Sequence, residues 1–270
     1  MALTLTYPKG GALVTGGTGS VGEGIARHLA DAGVPLVFTH LGKRDKAQAL
    51  EREFTEAGQD VAACQMDMTD ADSIRAALHR VVERYGRLHT VACGSGVPVS
   101  FNRLADFELV EVERFLWGDA LGNYRIFRSA IPLMRAGGGG SITTCTTMAT
   151  RRYILFDGLS PLSKGSVEAL ARQTTAEEAS HGIRSNEVAI GWVRATPMEE
   201  FRAMLADIPA SEPVTQQARL MALLRQIVDI VPMGRPATLA EAGNLFAFLA
   251  SDQAAYVTGQ SIALDGGATI

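Results

Sequence analysis

A doubly wound α/β fold, one parallel sheet between two helical layers, is predicted by three features of the sequence. Short apolar or β-branched runs alternate with amphipathic segments along the whole chain. The first run, Leu13-Val14-Thr15, passes through the glycine-rich turn Gly16-Gly17-Thr18-Gly19-Ser20-Val21-Gly22 into a helical pattern at Ile25, Ala26, Leu29 and Ala30. No linker-like break in composition divides the 270 residues, so one domain over 1–270 is expected.

Each element is justified in order. Glycines in a strand–turn–helix context let the backbone approach a pyrophosphate, and the helix N-terminus offers free N–H groups and the positive end of its dipole. Thr15, Gly16, Thr18, Gly19, Ser20, Val21 and Gly22 are therefore candidate cofactor-binding residues. Gly33 ends this helix, and Pro35–Thr39 reads as the second strand. NAD-preferring folds usually carry an acid at the end of that strand. His40 stands there instead, with Lys43 and Arg44 in the following loop. A cationic loop without the acid favours a 2′-phosphate, hence NADP(H), with NAD(H) as the other option. The same two cations would also suit a solvated helix start.

Residues 46–57 form an amphipathic helix closed by Gly58, and Val61–Asp67 the third strand. Asp67, with Met68 beside it, lies where ligands of doubly wound sheets bind, and its carboxylate suits an adenine amino group. A turn or cap role beside Thr69 and Asp70 is the alternative. A helix over Ser73–Tyr85 leads to the fourth strand, Thr90–Cys93, after which Gly94 and Gly96 let the backbone pass close to a cofactor. One or two helices occupy 107–134. Ser141–Thr146 is strand five, 162–179 a helix carrying Lys164 in its first turns, and 183–193 strand six. The segment 194–232 is rich in proline and is expected to be a helical flap over substrate; Met198, Phe201, Met204, Leu205 and Ile208 recur at helical spacing, which suits either a lid on an apolar pocket or simply a packed helix. A helix over Glu241–Leu249 and a strand over Ser261–Leu264 complete a Rossmann-like sheet.

Composition narrows the function classes. Net charge is −4, which gives no electrostatic footprint for nucleic acid. No apolar run approaches the ~20 residues of a membrane span. Cys64, Cys93 and Cys145 match neither a zinc spacing nor a disulfide framework, so a reducing cytoplasm is expected and no metal site is assigned. The expected partner is a small-molecule substrate.

The order of these motifs resembles the single-domain form of the short-chain dehydrogenase/reductase family over nearly the whole chain. Thr15-Gly16 with Gly22 is similar to that family's cofactor turn, although Ser20 replaces its middle glycine. Asp67 matches the adenine-contacting acid. Gly96 matches the last residue of an Asn-Asn-Ala-Gly motif whose first three positions are Cys93-Gly94-Ser95. Gly191 follows Ile190 where the family has Pro-Gly, and Val193 and Thr196 fall on its carboxamide-side contacts. Gly234-Arg235-Pro236 and the stretch Val257-Thr258-Gly259-Gln260 to Asp265-Gly266-Gly267 resemble its C-terminal signature. Homo-oligomers, tetramer or dimer, through the helices near 107–134 and 162–179 are implied by the resemblance.

The catalytic unit departs from the family. Its Tyr-x-x-x-Lys falls on Ser160-Pro161-Leu162-Ser163-Lys164, so the lysine is kept and the tyrosine is serine. The family serine falls on Thr147, and its asparagine falls on Asp119, 13 residues before Pro132. A phenol beside an ammonium has its pKa lowered toward working pH, whereas a serine hydroxyl gains far less. Loss of a positioned acid typically costs ~10²–10⁴ in rate. Three readings follow. One is reduction of a conjugated enoyl or dienoyl substrate, with the enolate oxygen stabilised electrostatically and protonation from a water held by Lys164 and Asp119. That pattern resembles 2,4-dienoyl-CoA reductases. Another is ordinary carbonyl redox with Tyr153, 11 residues before Lys164, as substitute acid; a surface loop aromatic is its other reading. The last is a dinucleotide-binding sensor or scaffold, or a catalyst of non-redox chemistry. Arg151 and Arg152 are either ligands for an anionic group or solvated loop residues.

Overall fold

Short runs of β-branched and small apolar residues form seven strands in the computed structural model: β1 (Gly11–Thr15), β2 (Leu36–His40), β3 (Val61–Gln65), β4 (Leu88–Cys93), β5 (Gly140–Thr147), β6 (Ile183–Ile190) and β7 (Ser261–Leu264). The structure describes residues 4–194 and 215–270. The strands pair in the order β3-β2-β1-β4-β5-β6-β7, parallel throughout. The order reverses between β1 and β4, and that switch point opens a crevice at the strands' C-terminal ends.

Eight helices are described: α1 (Ser20–Asp31), α2 (Arg44–Glu56), α3 (Ala71–Tyr85), α4 (Leu109–Phe115), α5 (Leu121–Ala136), α6 (Leu159–Glu178), α7 (Gln216–Ile230) and α8 (Leu239–Ala250). Side chains alternate along β1. Ala12 and Val14 join Ile25, Leu29, Leu50, Phe54 and Phe246 in one core layer. Leu13 joins Ile74, Leu78, Val81, Ile126, Phe127 and Met134 in the other. Both faces are covered, which is why the strands read as apolar runs rather than as a polar–apolar alternation.

Several boundaries differ from the sequence expectation, each for a local reason. Strand six stops at Ile190, because Gly191 packs so tightly on Asp265 that a Cβ there would lie 2.9 Å from that residue's Cα; Val193 makes only an isolated bridge to Ala237. The helix α6 starts at Leu159, since Pro161 sits in its first turn, where a missing N–H costs nothing. The expected helical region near 107–134 is α4 and α5 joined without a break by a π-helical turn, Leu116–Ala120. Of the expected flap, α7 is described, whereas Thr196, Met198, Phe201, Met204, Leu205 and Ile208 lie outside the described residues. Among the described residues no helix is long and apolar enough to cross a membrane.

Two features of this packing yield predictions. At the crossing of α1 and α8, a Cβ on Gly243 would lie 2.3 Å from the carbonyl oxygen of Gly24. Gly243→Ala is therefore expected to destabilise by about 1–3 kcal/mol, read by urea unfolding. Glu187 is fully buried on β6, and neither carboxyl oxygen has a hydrogen-bond partner; the nearest cation is Arg172, at 3.8 Å. Burial, reinforced by the charge of Glu168, pushes its carboxyl up to about 7. A folded-state value raised in this way contributes stability at low pH that is lost as pH rises through about 7. Glu187→Gln is expected to raise Tm at pH ~8 and to leave it unchanged at pH ~5, as measured by calorimetry.

Candidate active site

The chain leaves β1 at Thr15 and turns at Gly16, whose φ is +69°. Its N–H donates to the Thr39 hydroxyl (3.1 Å), and that of Gly17 to the Thr39 carbonyl (2.8 Å). A Cβ on Gly22 would lie 2.2 Å from the Gly16 carbonyl oxygen, and one on Gly94 would lie 2.8 Å from the Gly22 Cα. The turn, the start of α1 and the end of β4 thus touch through backbone alone. The N-cap of α1 is Gly19, which brings no side chain to the helix end, so the first-turn N–H groups of Ser20, Val21 and Gly22 are left to a ligand. This cradle, Thr15 to Gly22, fits the pyrophosphate of a dinucleotide. Thr18 is buried, and its carbonyl accepts the Lys46 ammonium at 3.1 Å. Lys46 also pairs with Glu23 at 2.7 Å, which makes it the cation held against the glycine turn. The sequence analysis missed it; it lies just two residues beyond Arg44.

At the end of β2, His40 is buried, and burial together with the charge of Arg44 holds its imidazole below the usual pKa, hence neutral. Lys43 is the N-cap of α2 and Arg44 its first residue, both exposed, so they do begin a helix while also following the strand end. Asp67 lies beyond the end of β3, and its Oδ1 accepts both the N–H (2.8 Å) and the hydroxyl (2.7 Å) of Thr69. The turn role therefore occupies that oxygen. Met68 takes a hydrogen bond on its sulfur from the Ser95 hydroxyl (2.8 Å), and Ser95 in turn meets the Thr15 hydroxyl at 2.6 Å.

The centre of the site is a buried ion pair. The π-helical turn carries Asp119 inward to 2% exposure, and the first turns of α6 carry Lys164 to 9%. Lys164 Nζ lies 3.2 Å from Asp119 Oδ1. That oxygen also accepts the N–H of Val97 (3.0 Å), and Oδ2 accepts the Ser163 hydroxyl (3.1 Å). Gly96 runs over the pair, where a Cβ would come 3.4 Å from both charged atoms. Thr147 ends β5; its hydroxyl oxygen accepts the Ala149 N–H (3.2 Å), which leaves its own proton free to donate.

Lys164, Asp119, Thr147 and Ser160 line one cavity of about 340 Å³, together with Gly94, Gly96, Gly191 and Val193. Its remaining wall is mostly apolar, with Phe101, Phe115, Ile154 and Trp192, and with Leu223, Leu224 and Ile227 from α7. The sequence analysis named none of these α7 residues, whose approach to the cavity only the fold shows.

Tyr153 is not brought to this cavity. It is 90% exposed, while its neighbour Ile154 points inward and takes the core position. A side chain so exposed is a surface loop aromatic and not a substitute acid. Arg151 and Arg152 are also turned away. They donate to the Ser261 carbonyl (2.5 Å) and the Ala268 carbonyl (2.8 Å), which tie the loop after β5 to the C-terminal segment. Thr196 lies outside the described residues.

A further residue of the cavity was not foreseen. Asp157 lines it three residues before Ser160. Burial pushes its carboxyl up to about 6, against the opposing pull of the Ser160 hydroxyl and N–H. The thiols of Cys93 and Cys145 are pushed up to about 12 and about 11 by burial, so both are neutral. Among the described residues no cluster of His, Cys, Asp and Glu is placed to hold a metal ion.

Comparison with known proteins identifies similar chains. The family profile described as enoyl-(acyl carrier protein) reductase matches residues 16–269. The chain is 31% identical to the oxidoreductase UcpA of Salmonella typhimurium, over 96% of this chain and 94% of that one. It is 28% identical to the 3-oxoacyl-[acyl-carrier-protein] reductase FabG of Staphylococcus aureus, over 95% and 96%. A gluconate 5-dehydrogenase from Burkholderia cenocepacia, solved with NADP and tartrate, superposes with a TM-score of 0.82 at 25% identity, over 97% and 96% of the two chains.

The buried pair makes a measurable claim. Lys164→Met strands the Asp119 carboxylate without its counter-charge and is expected to cost about 3–5 kcal/mol in urea unfolding. Asp119→Asn in the same chain should restore a large part of that loss, so the double-mutant cycle reports a strong coupling.

Proposed function

The chain belongs to the short-chain dehydrogenase/reductase family, and from that premise we propose that it is an NADP(H)-dependent oxidoreductase acting on a small apolar carbonyl or conjugated enoyl substrate through an altered catalytic site. The observation that carries this reading is the Lys164–Asp119 pair, set in a largely apolar cavity that also holds Gly94, Gly96 and Gly191. A dihydronicotinamide, when bound, supplies hydride to a carbon of the substrate.

The chain's own residues do the rest. Thr15 to Gly22 bind the pyrophosphate, and Asp67 offers its second carboxylate oxygen to the adenine. Lys43 and Arg44, with Lys46 behind them, favour a 2′-phosphate over a bare ribose. Lys164 holds the nicotinamide ribose and places positive charge beside the oxygen that becomes anionic, in a site where low dielectric strengthens the effect. Asp119 is a positioning residue: with Lys164, Val97 and Ser163 all donating to it, it fixes the ammonium and the loop above. Thr147 donates its hydroxyl proton to the substrate oxygen. The flap that includes α7 covers the substrate and excludes water.

A second reading, a dinucleotide-binding sensor or a catalyst of non-redox chemistry, is favoured by one observation, the serine at 160. Its hydroxyl is too weak an acid to replace a phenol unaided. The exposed apolar residues Leu109, Val110, Leu116, Trp117 and Tyr124 on α4, the π-turn and α5 support a homo-oligomer, dimer or tetramer. Free thiols at Cys64, Cys93 and Cys145 suit a cytoplasmic protein.

Fluorescence titration with NADPH and NADH tests the cofactor reading. Tighter binding of NADPH is expected, with the Lys43→Ala/Arg44→Ala variant losing about tenfold for NADPH only, the effect of roughly one charge-assisted contact. Tighter binding of NADH would overturn it. With 2-cyclohexen-1-one, which offers both a carbonyl and a conjugated C=C bond, consumption of NADPH and the identity of the product separate carbonyl from alkene reduction. Lys164→Ala is expected to abolish turnover.

A further inference from the structure

The cavity contains a carboxyl group with no part in the scheme so far. Asp157 reaches it from the loop before α6, next to the serine that replaces the family's tyrosine. Its Oδ1 is buried and has no hydrogen-bond partner in the protein. An ionised carboxylate oxygen left in that state is costly, and two changes relieve it: a proton on that oxygen, or a donor from a ligand in the cavity. The backbone that delivers it is unusual. Phe156, the residue before, has a φ of +70°, the only non-glycine residue with positive φ among those described. Such a conformation costs on the order of 1–3 kcal/mol and persists only where its surroundings impose it. They do so: the Phe156 carbonyl accepts the Asn102 N–H (3.0 Å), Asp157 bridges Asn102, and the Arg103 guanidinium lies over the Phe156 ring at 6.0 Å. The strained residue aims Asp157 inward.

We propose that Asp157, working through the Ser160 hydroxyl, is the proton donor that stands in for the missing tyrosine. The inference rests on the oxidoreductase reading above. Once carbon has accepted hydride, the substrate oxygen carries the new electron pair. It takes the proton of Ser160 Oγ, the Asp157 carboxyl group turns its protonated oxygen to Ser160 Oγ and gives up that proton, and the Asp157 carboxylate remains, to be reprotonated from water. In the oxidative direction the same chain runs backwards, with the carboxylate as base. The serine relays and the aspartic acid supplies the acidity, so the pair together does what one phenol does elsewhere in the family. The charged and titratable groups that share the cavity are Lys164, Asp119 and Cys145. The Lys164 charge is largely taken by Asp119, which leaves Asp157 able to hold a proton near neutral pH. The raised carboxyl value, about 6, agrees with this assignment.

The experiment has two arms. In the first, ¹³C-carboxyl NMR follows the titration of Asp157 in the cofactor-free protein. A midpoint near 6, moving upward in Ser160→Ala because that hydroxyl supports the ionised form, is the expected result. A midpoint at the ordinary carboxylate value of ~4, unmoved by Ser160→Ala, overturns the proposal. In the second arm, Asp157→Asn, which keeps shape and loses the acid, is assayed with NADPH and 2-cyclohexen-1-one. It should lose about 10²–10⁴-fold in kcat with its NADPH affinity unchanged, and the wild-type fall in reductive kcat as pH rises through the titration should vanish. Wild-type turnover in Asp157→Asn removes this inference alone. Failure of wild-type protein to bind either dinucleotide removes the oxidoreductase reading, and the inference falls with it.

Discussion

The site depends on one buried electrostatic interaction, the contact between Asp119 and Lys164. The two residues come from helices that have no other reason to present charge to the interior. Either side chain alone would be an uncompensated charge in an apolar wall, and the desolvation penalty for that is several kcal/mol. Together, and with the Val97 N–H and the Ser163 hydroxyl as further donors, they form a satisfied group. The same contacts fix the loop after β4, which also borders the glycine turn through Gly94. The cavity and the glycine turn are in this way parts of a single packed object.

Around that object the chemistry is sparse. A largely apolar wall faces one ammonium, two carboxyl groups and the hydroxyls of Ser95, Thr146, Thr147 and Ser160. Few polar groups in a mostly apolar cavity give each of them a large effect on a bound oxygen. On the reading proposed above, the same sparseness gives a serine in place of a tyrosine a large effect at this position. On that reading the burden passes to whichever neighbour can hold a proton near neutral pH.

Most of the fold was legible in the sequence because it is written in local terms. The glycine turn, the alternating apolar runs and the glycines that close helices each declare themselves within a few residues, and the structure departs from them by only a few positions at the ends. Motif order also led to Lys164, Asp119, Thr147 and Ser160, which the fold brings to one cavity. Three things were not legible. Tyr153 sat at a plausible distance along the chain, but whether a loop side chain points in or out is decided by its neighbour, and Ile154 holds the inward place. Asp157 carried no motif, and its significance arises from burial and from the turn at Phe156, neither of which spacing reveals. Lys46 looked like one more helical cation until the fold laid α2 beside the start of α1.

The π-helical turn at Leu116–Ala120 has a consequence for how the protein can change. A π-turn holds one residue more than the α-helical turn it replaces. Taking that residue out would let α4 and α5 run on as a regular helix, with everything beyond the junction rotated by about 100°. Ile126, Phe127, Ala130 and Met134 would then swing away from the α3 layer while Asp119 left the cavity. The position of the buried carboxylate is thus set by the count of residues in one helix as much as by the identity of any of them. Substitutions can tune this site gradually, whereas a single-residue deletion would dismantle the cavity wall and the hydrophobic core in one step.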